Sequence, residues 1–104
     1  MKAKNIFSKI PADLKTEFIE TICSSQKIRI ERIVSRGHKS APDFWYDQKD
    51  NEWVIVLKGE AEIEFESGGK LHLATGAYLN IPAHKRHRVS WTGEGKTVWL
   101  TVRY

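Results

Sequence analysis

Between Gly59 and Ser67 the chain alternates without a break: Glu60, Glu62, Glu64 and Glu66 on one parity, Ala61, Ile63 and Phe65 on the other. Successive side chains of a β-strand point to opposite faces, so this pattern demands a strand with one face in water and one in a core. A helix would scatter the four carboxylates around its axis. A half-buried strand needs partners, and the flanking sequence supplies them. Ser67-Gly68-Gly69-Lys70 predicts a hairpin turn, after which Leu71 and Leu73 begin a returning strand.

The same period runs through most of the chain. Ile28 and Ile30 alternate with Arg29 and Glu31, and Ile33-Val34 carries that strand toward Gly37. Trp53-Val54-Ile55-Val56-Leu57 is apolar at both parities, which predicts a strand covered on both sides, turned by Lys58-Gly59. Thr75-Gly76-Ala77 turns the chain into Tyr78-Leu79-Asn80-Ile81, stopped by Pro82. His87, Val89 and Trp91 share a parity in the next strand. After a loop at Thr92-Gly93-Glu94-Gly95-Lys96, Val98, Leu100 and Val102 are in phase in the last. Before all of these, Leu14, Phe18 and Ile22 recur at four-residue intervals behind Pro11, which predicts a helix over Pro11–Ile22 with its exit at Ser24-Ser25. Short strands at this spacing, with Gly and Pro turns, form a sandwich or barrel. The expected architecture is all-β with one short N-terminal α-helix: a helical segment over residues 1–26 and a β-barrel over residues 27–104, in one domain.

Composition narrows the setting. A chain of 104 residues holds one core. No apolar run approaches the roughly 20 residues that a membrane span needs. The start, Met1-Lys2-Ala3-Lys4, is basic but has no apolar segment behind it, so no signal peptide is expected. A lone cysteine, Cys23, excludes an internal disulfide and fits a reducing cytoplasm; Ile19 and Ile22 beside it suggest a packed thiol. The net charge of +4 raises the question of nucleic acid. The basic residues are interleaved with glutamates and form no continuous stripe, which argues against nucleic acid and leaves attraction of an anionic small molecule.

Two segments carry chemistry. Gln48-Lys49-Asp50-Asn51-Glu52 and Pro82-Ala83-His84-Lys85-Arg86-His87 each lie beside a strand and each end in a residue that can hold a metal or move a proton. Their spacing resembles the two motifs of the cupins, double-stranded β-helix (jelly-roll) barrels. The first cupin motif ends in a Glu, six residues and a Gly, as Glu52 and Gly59 do. The second has a Gly, five residues and a Pro, then a His, as Gly76, Pro82 and His87 do. Phe44-Trp45-Tyr46-Asp47-Gln48, Glu52-Trp53-Val54 and Ile81-Pro82-Ala83-His84 also look like a subgroup of small bacterial cupins without assigned function. The resemblance covers about Ile28 to Tyr104.

In metal-binding cupins two histidines and the glutamate of the first motif, with the histidine of the second, hold a divalent metal. By position these fall on Tyr46, Gln48, Glu52 and His87, so two of the four ligands are changed. Ser40, His84 and Trp91 stand where the motifs have Gly, Gly and Asn. The resemblance thus implies a divalent metal (Zn, Fe, Mn or Ni) at Gln48, Glu52 and His87, serving an oxygenase-like enzyme and completed by His38 or His84 if either folds inward. Loss of two histidines motivates the alternative of metal-free acid–base catalysis, with Glu52 or His87 as base and Tyr46 as proton donor, as in epimerases of this fold. A third reading is a small-molecule sensor without turnover.

Each residue also has a plainer role. Glu52 could pair with Arg86 or Arg88, His87 could be a hydrogen-bonded core residue, and Gln48 a solvated amide. His72, between Leu71 and Leu73, reads as solvent-facing. Phe44, Trp45 and Trp53 read as core, subunit contact or an aromatic wall for a planar ligand. The partners expected are a small-molecule ligand and, by resemblance, a second copy in a homodimer through the apolar faces of Trp53, Ile55 and Leu57 or of Ile28 and Ile30.

Overall fold

In the computed structural model, which describes residues 1–104, the alternating segment takes the faces its sequence demands. Ala61 and Ile63 are buried. The glutamates face outward into ion pairs: Glu60 with His72, Glu62 with Lys70, Glu64 with Arg88 and Glu66 with Arg86. Eight strands follow one another: β1 (Phe18–Ser24), β2 (Arg29–Arg36), β3 (Glu52–Lys58), β4 (Ala61–Phe65), β5 (Lys70–Leu73), β6 (Tyr78–Ile81), β7 (His87–Thr92) and β8 (Lys96–Arg103). They form a five-stranded sheet in the order β1-β2-β8-β3-β6 and a three-stranded sheet in the order β5-β4-β7, with antiparallel pairing throughout.

The core lies between the sheets. Val54, Val56 and Trp99 from the larger sheet meet Ala61, Ile63 and Leu73 from the smaller. On β3 the two parities therefore differ. Val54 and Val56 are buried inside, while Trp53, Ile55 and Leu57 face outward and are only half-buried, not covered as the apolar run suggests. On β8 the side chains that face inward are Trp99, Thr101 and Arg103, so Val98, Leu100 and Val102 form the outer face. Cross-strand pairing joins Ile30, Val102 and Trp53 in one outer row, and Leu100, Ile55 and Tyr78 in the next.

Two further local expectations fail, each for a physical reason. No helix forms over Pro11–Ile22. Phe18–Ser24 is instead edge strand β1, paired along β2 from Phe18↔Val34 to Ser24↔Arg29. Ile19, Thr21 and Ile22 are β-branched, and pairing satisfies backbone groups of β2 that a helix would leave open. As a consequence Cys23 is exposed, not packed. The preceding segment crosses the outer face, where buried Arg32 donates to the carbonyls of Ile6 and Ser8 at 2.8 and 2.7 Å. The second failure is on β7. Glu62 pairs with Trp91 but Ile63 pairs with Val89, so Ser90 is an extra residue, a β-bulge. It reverses parity: His87 and Val89 face the interior, whereas Trp91 is 40% exposed and stacks on His72.

No helix is long and apolar enough to cross a membrane. Gly59, at φ +85°, packs against β8 so closely that a Cβ would meet the Thr97 hydroxyl at 2.8 Å. Gly59→Ala is therefore expected to lower stability by about 1–3 kcal/mol, read as a reduced midpoint in urea at unchanged slope.

Candidate functional site

The site starts from a short backbone pairing. Tyr46 N–H donates to the His87 carbonyl at 2.7 Å and His87 N–H returns to the Tyr46 carbonyl at 3.2 Å, while His84 N–H donates to the Gln48 carbonyl at 2.8 Å. The segment 46–48 thus runs as an extra strand fragment beside the entry to β7. Alternation then sends Tyr46 and Gln48 inward and Asp47 outward. With Glu52 at the head of β3 and His87 at the head of β7, the four candidate residues line one cavity of about 120 Å³. Its other walls are largely apolar, including Ile33, Val54, Ile63 and Trp99.

At the polar end, Glu52 Oε1 lies 3.7 Å from His87 Nε2, and the two side chains are 10% and 6% exposed. The Nδ1 of His87 is 2.7 Å from the Lys85 carbonyl. A carbonyl only accepts, so that nitrogen carries the hydrogen, and Nε2 is left facing Glu52 and the cavity. The other oxygen of Glu52 is 3.5 Å from Arg103 Nε, which also lies 3.6 Å from Glu31. Arg86 and Arg88, the expected partners of Glu52, point outward to Glu66 and Glu64 instead.

The Tyr46 ring stacks on His87 with centroids 5.6 Å apart, and Phe44 meets Tyr46 edge-on at 4.8 Å. Burial pushes the Tyr46 phenol above its usual range, and the negative charges of Glu17 and Glu52 push it further; Arg103 and a hydrogen bond with Ser40 oppose them. Tyr46 is therefore a proton-bearing donor at neutral pH. Glu17 lies at the edge of the cavity, where burial raises its carboxyl against the opposing effect of His38.

His84 lies outside, its Nδ1 at 2.8 Å from Asp47. His38 accepts from the Arg36 N–H and contacts the Lys15 carbonyl, so it does not turn inward. His72 faces solvent, as its parity indicates. Phe44, Trp45 and Trp53 do not line the cavity; Trp45 packs on Arg88, and Trp53 stacks on Tyr78 outside the barrel. The aromatic wall is Trp99. Trp99, Thr101, Arg103 and Glu17 escaped the sequence reading. The first three share a parity on β8, opposite to the apolar phase that drew attention there.

Two polar atoms of the cavity lining, Gln48 Oε1 and Thr101 Oγ1, are buried with no hydrogen-bond partner. Such atoms cost about 1–3 kcal/mol each unless something satisfies them, which suits a polar guest. The donor set does not fit a resident Zn, Fe, Mn or Ni ion. Strong donors are limited to Glu52 and His87, and no group of three His, Cys, Asp or Glu comes together. Gln48 offers only a neutral oxygen, Tyr46 is held away from phenolate, and a guanidinium already faces the second oxygen of Glu52.

Comparison with known proteins follows the same lines. Residues 32–103 match the family model described as a cupin domain. Among solved structures, the chain is 41% identical to a protein of Ralstonia eutropha JMP134 provisionally named a mannose-6-phosphate isomerase, with a TM-score of 0.94 over 99% of this chain and 97% of that one. It is 23% identical to a cupin superfamily protein of Desulfitobacterium hafniense DCB-2, with a TM-score of 0.75 over 90% and 82% of the two chains. An RmlC-like cupin from Desulfovibrio desulfuricans is 20% identical, with a TM-score of 0.77 over 99% and 96%. The last two likenesses concern the fold alone. No curated protein matches.

Because the raised phenol resists ionisation in the folded state, alkali should favour unfolding. The folded chain keeps the Tyr46 proton where the unfolded chain loses it, so stability falls as pH rises past about 10. Tyr46→Phe is expected to flatten that part of the stability–pH curve relative to the parent, measured by urea titration at several alkaline pH values. An unchanged slope would contradict the assignment.

Proposed function

We propose, for a chain that belongs to the cupin family, that the barrel pocket takes up a small oxygenated organic molecule and moves a proton on it without a metal, as an isomerase does. One observation carries this reading: Glu52 and His87 face each other at 3.7 Å inside the cavity, with His87 Nε2 free to exchange a proton. Two proton carriers side by side suit transfer from the carbon next to a carbonyl and return of a proton at the neighbouring carbon. Either Glu52 or His87 takes the proton. The Tyr46 hydroxyl is the donor placed to stabilise negative charge on the substrate oxygen. Thr101 and Gln48 offer further polar atoms with no partner of their own.

Size limits the substrate. A cavity of about 120 Å³ is slightly smaller than one of about 150 Å³ that encloses benzene. A hexose phosphate would place only its reacting end inside. The relative provisionally named a mannose-6-phosphate isomerase supports an isomerase over an oxygenase without fixing the sugar. An exposed, unpaired Cys23 supports a reducing cytoplasm as the setting.

A second copy is the proposed partner. The outer face of the five-stranded sheet carries Ile30, Val102 and Trp53 in one row and Leu100, Ile55 and Tyr78 in the next, the second row ending on β2 at Arg32, where the N-terminal segment crosses. Sedimentation is expected to give a dimer mass for the parent and a monomer mass for Ile55→Arg; a monomeric parent would remove this part of the reading.

The catalytic reading is tested by incubating the EDTA-treated protein with dihydroxyacetone in heavy water. Deuterium is expected to enter the carbon-bound positions by NMR, at a rate about 100-fold lower or less in Glu52→Gln and His87→Gln. Exchange that vanishes with EDTA and returns with a divalent metal would overturn the metal-free mechanism.

A further inference from the structure

Beyond the cavity that holds Glu52 and His87 lies a second, open cavity of about 370 Å³ at the end of the barrel, lined mostly by exposed residues. Its lining comes from three places: the turn between β1 and β2, the loop before β3, and the end of β8. The charged side chains are Lys27, Arg29, Lys49 and Arg103 against the single carboxylate Asp50. Lys27, Arg29 and Lys49 take part in none of the ion pairs of the chain. By contrast the glutamate ladder on the smaller sheet is paired along its length.

Register supplies an independent observation. Arg29 stands directly opposite Arg103 across β2 and β8, and Arg103 stands directly opposite Glu52 across β8 and β3. Directly opposed residues share a face, and like charges so placed destabilise a sheet unless something of opposite sign relieves them. Arg103 is relieved by Glu31 and Glu52. Arg29 has no such relief within the chain. The row Arg29–Arg103–Glu52 also ties the cavities together, because Arg103 lines both. Neighbouring strands lie about 4.8 Å apart, so the cationic cavity begins about one strand spacing from Glu52, at Arg103, and reaches Arg29 one spacing further along the same inner row.

We infer that the cavity around Arg29, Lys27, Lys49 and Arg103 is an anion subsite that takes the phosphate group of the molecule whose reacting end occupies the Glu52–His87 cavity. This rests on the small-molecule reading above and deepens it by naming the substrate class: short phosphorylated hydroxycarbonyl compounds. The charges divide the work. The inner cavity brings the carboxylates of Glu17 and Glu52 and suits the uncharged end, while the outer one holds an excess of cations for a dianion. Arginine forks and lysine ammonium groups are the side chains that recognise phosphate.

The test uses the full chain and three probes, followed by amide NMR: inorganic phosphate, dihydroxyacetone and dihydroxyacetone phosphate. Inorganic phosphate is expected to shift the amides of residues 25–29, 49–50 and 103–104 saturably. Arg29→Gln and Lys49→Gln should each weaken it about tenfold, with Arg29→Lys recovering part of the loss and thermal melts confirming that each variant is folded. Dihydroxyacetone phosphate is expected to bind more tightly than either other probe and to shift Tyr46, Gln48 and His87 as well. Weak shifts scattered over the lysines of the surface, or binding unchanged in the Arg29→Gln/Lys49→Gln double variant, would overturn the subsite. If phosphate binds as described but the phosphorylated probe leaves Tyr46, Gln48 and His87 unmoved, the link between the cavities is wrong. If both clusters shift and no deuterium exchanges, the subsite stands and the proton-transfer reading fails.

Discussion

Arg103 sits between Glu31 and Glu52 at the end of the last strand, and the pocket depends on that placement. Glu31 and Glu52 are both nearly buried, and a carboxylate withdrawn from water without compensation is costly. A single guanidinium compensates both. It leaves Glu52 Oε1 turned toward His87, whose far nitrogen is tied to the Lys85 carbonyl. Removing Arg103 would leave two nearly buried carboxylates without a cation beside them. The same guanidinium weighs against a resident metal, since a cation already stands beside the carboxylate that would have to bind one.

The fold brings these groups together through register. Glu52, Arg103 and Arg29 occupy one row because β3, β8 and β2 pair in sequence across the larger sheet. His87 arrives from the smaller sheet, and the pairing of Tyr46 with His87 closes the space between the sheets while aiming two side chains inward. The bulge at Ser90 keeps His87 and Val89 on the pocket side and turns Trp91 outward onto His72. Small departures from regular pairing thus decide which residues reach the interior.

Much of this was legible in the sequence. The glutamate alternation at residues 60–66, the hairpin at Gly68-Gly69 and the motif spacing of Glu52 and His87 all report directly on period and turns, and each matches the structure. Tyr46 and Gln48 share a face because both lie on one extended fragment. What was illegible depended on distant partners. Leu14, Phe18 and Ile22 mimic a helical stripe, but β2 offers an open edge that only a strand can satisfy. Arg103 and Thr101 looked like the polar side of an apolar strand, because nothing local says that the polar side of β8 is the inner one. Glu17 was hidden by the helix that does not form.

The central claim is that Glu52, compensated by Arg103, shares the pocket with a His87 whose Nε2 is free for proton transfer and not engaged by a metal. Nitrogen NMR of the His87 imidazole, recorded before and after one equivalent of Zn2+, tests it most directly. The account predicts a hydrogen on Nδ1, none held on Nε2 in the neutral ring, and a spectrum unchanged by the metal. A Zn2+-dependent shift at Nε2 that disappears in Glu52→Ala would contradict it.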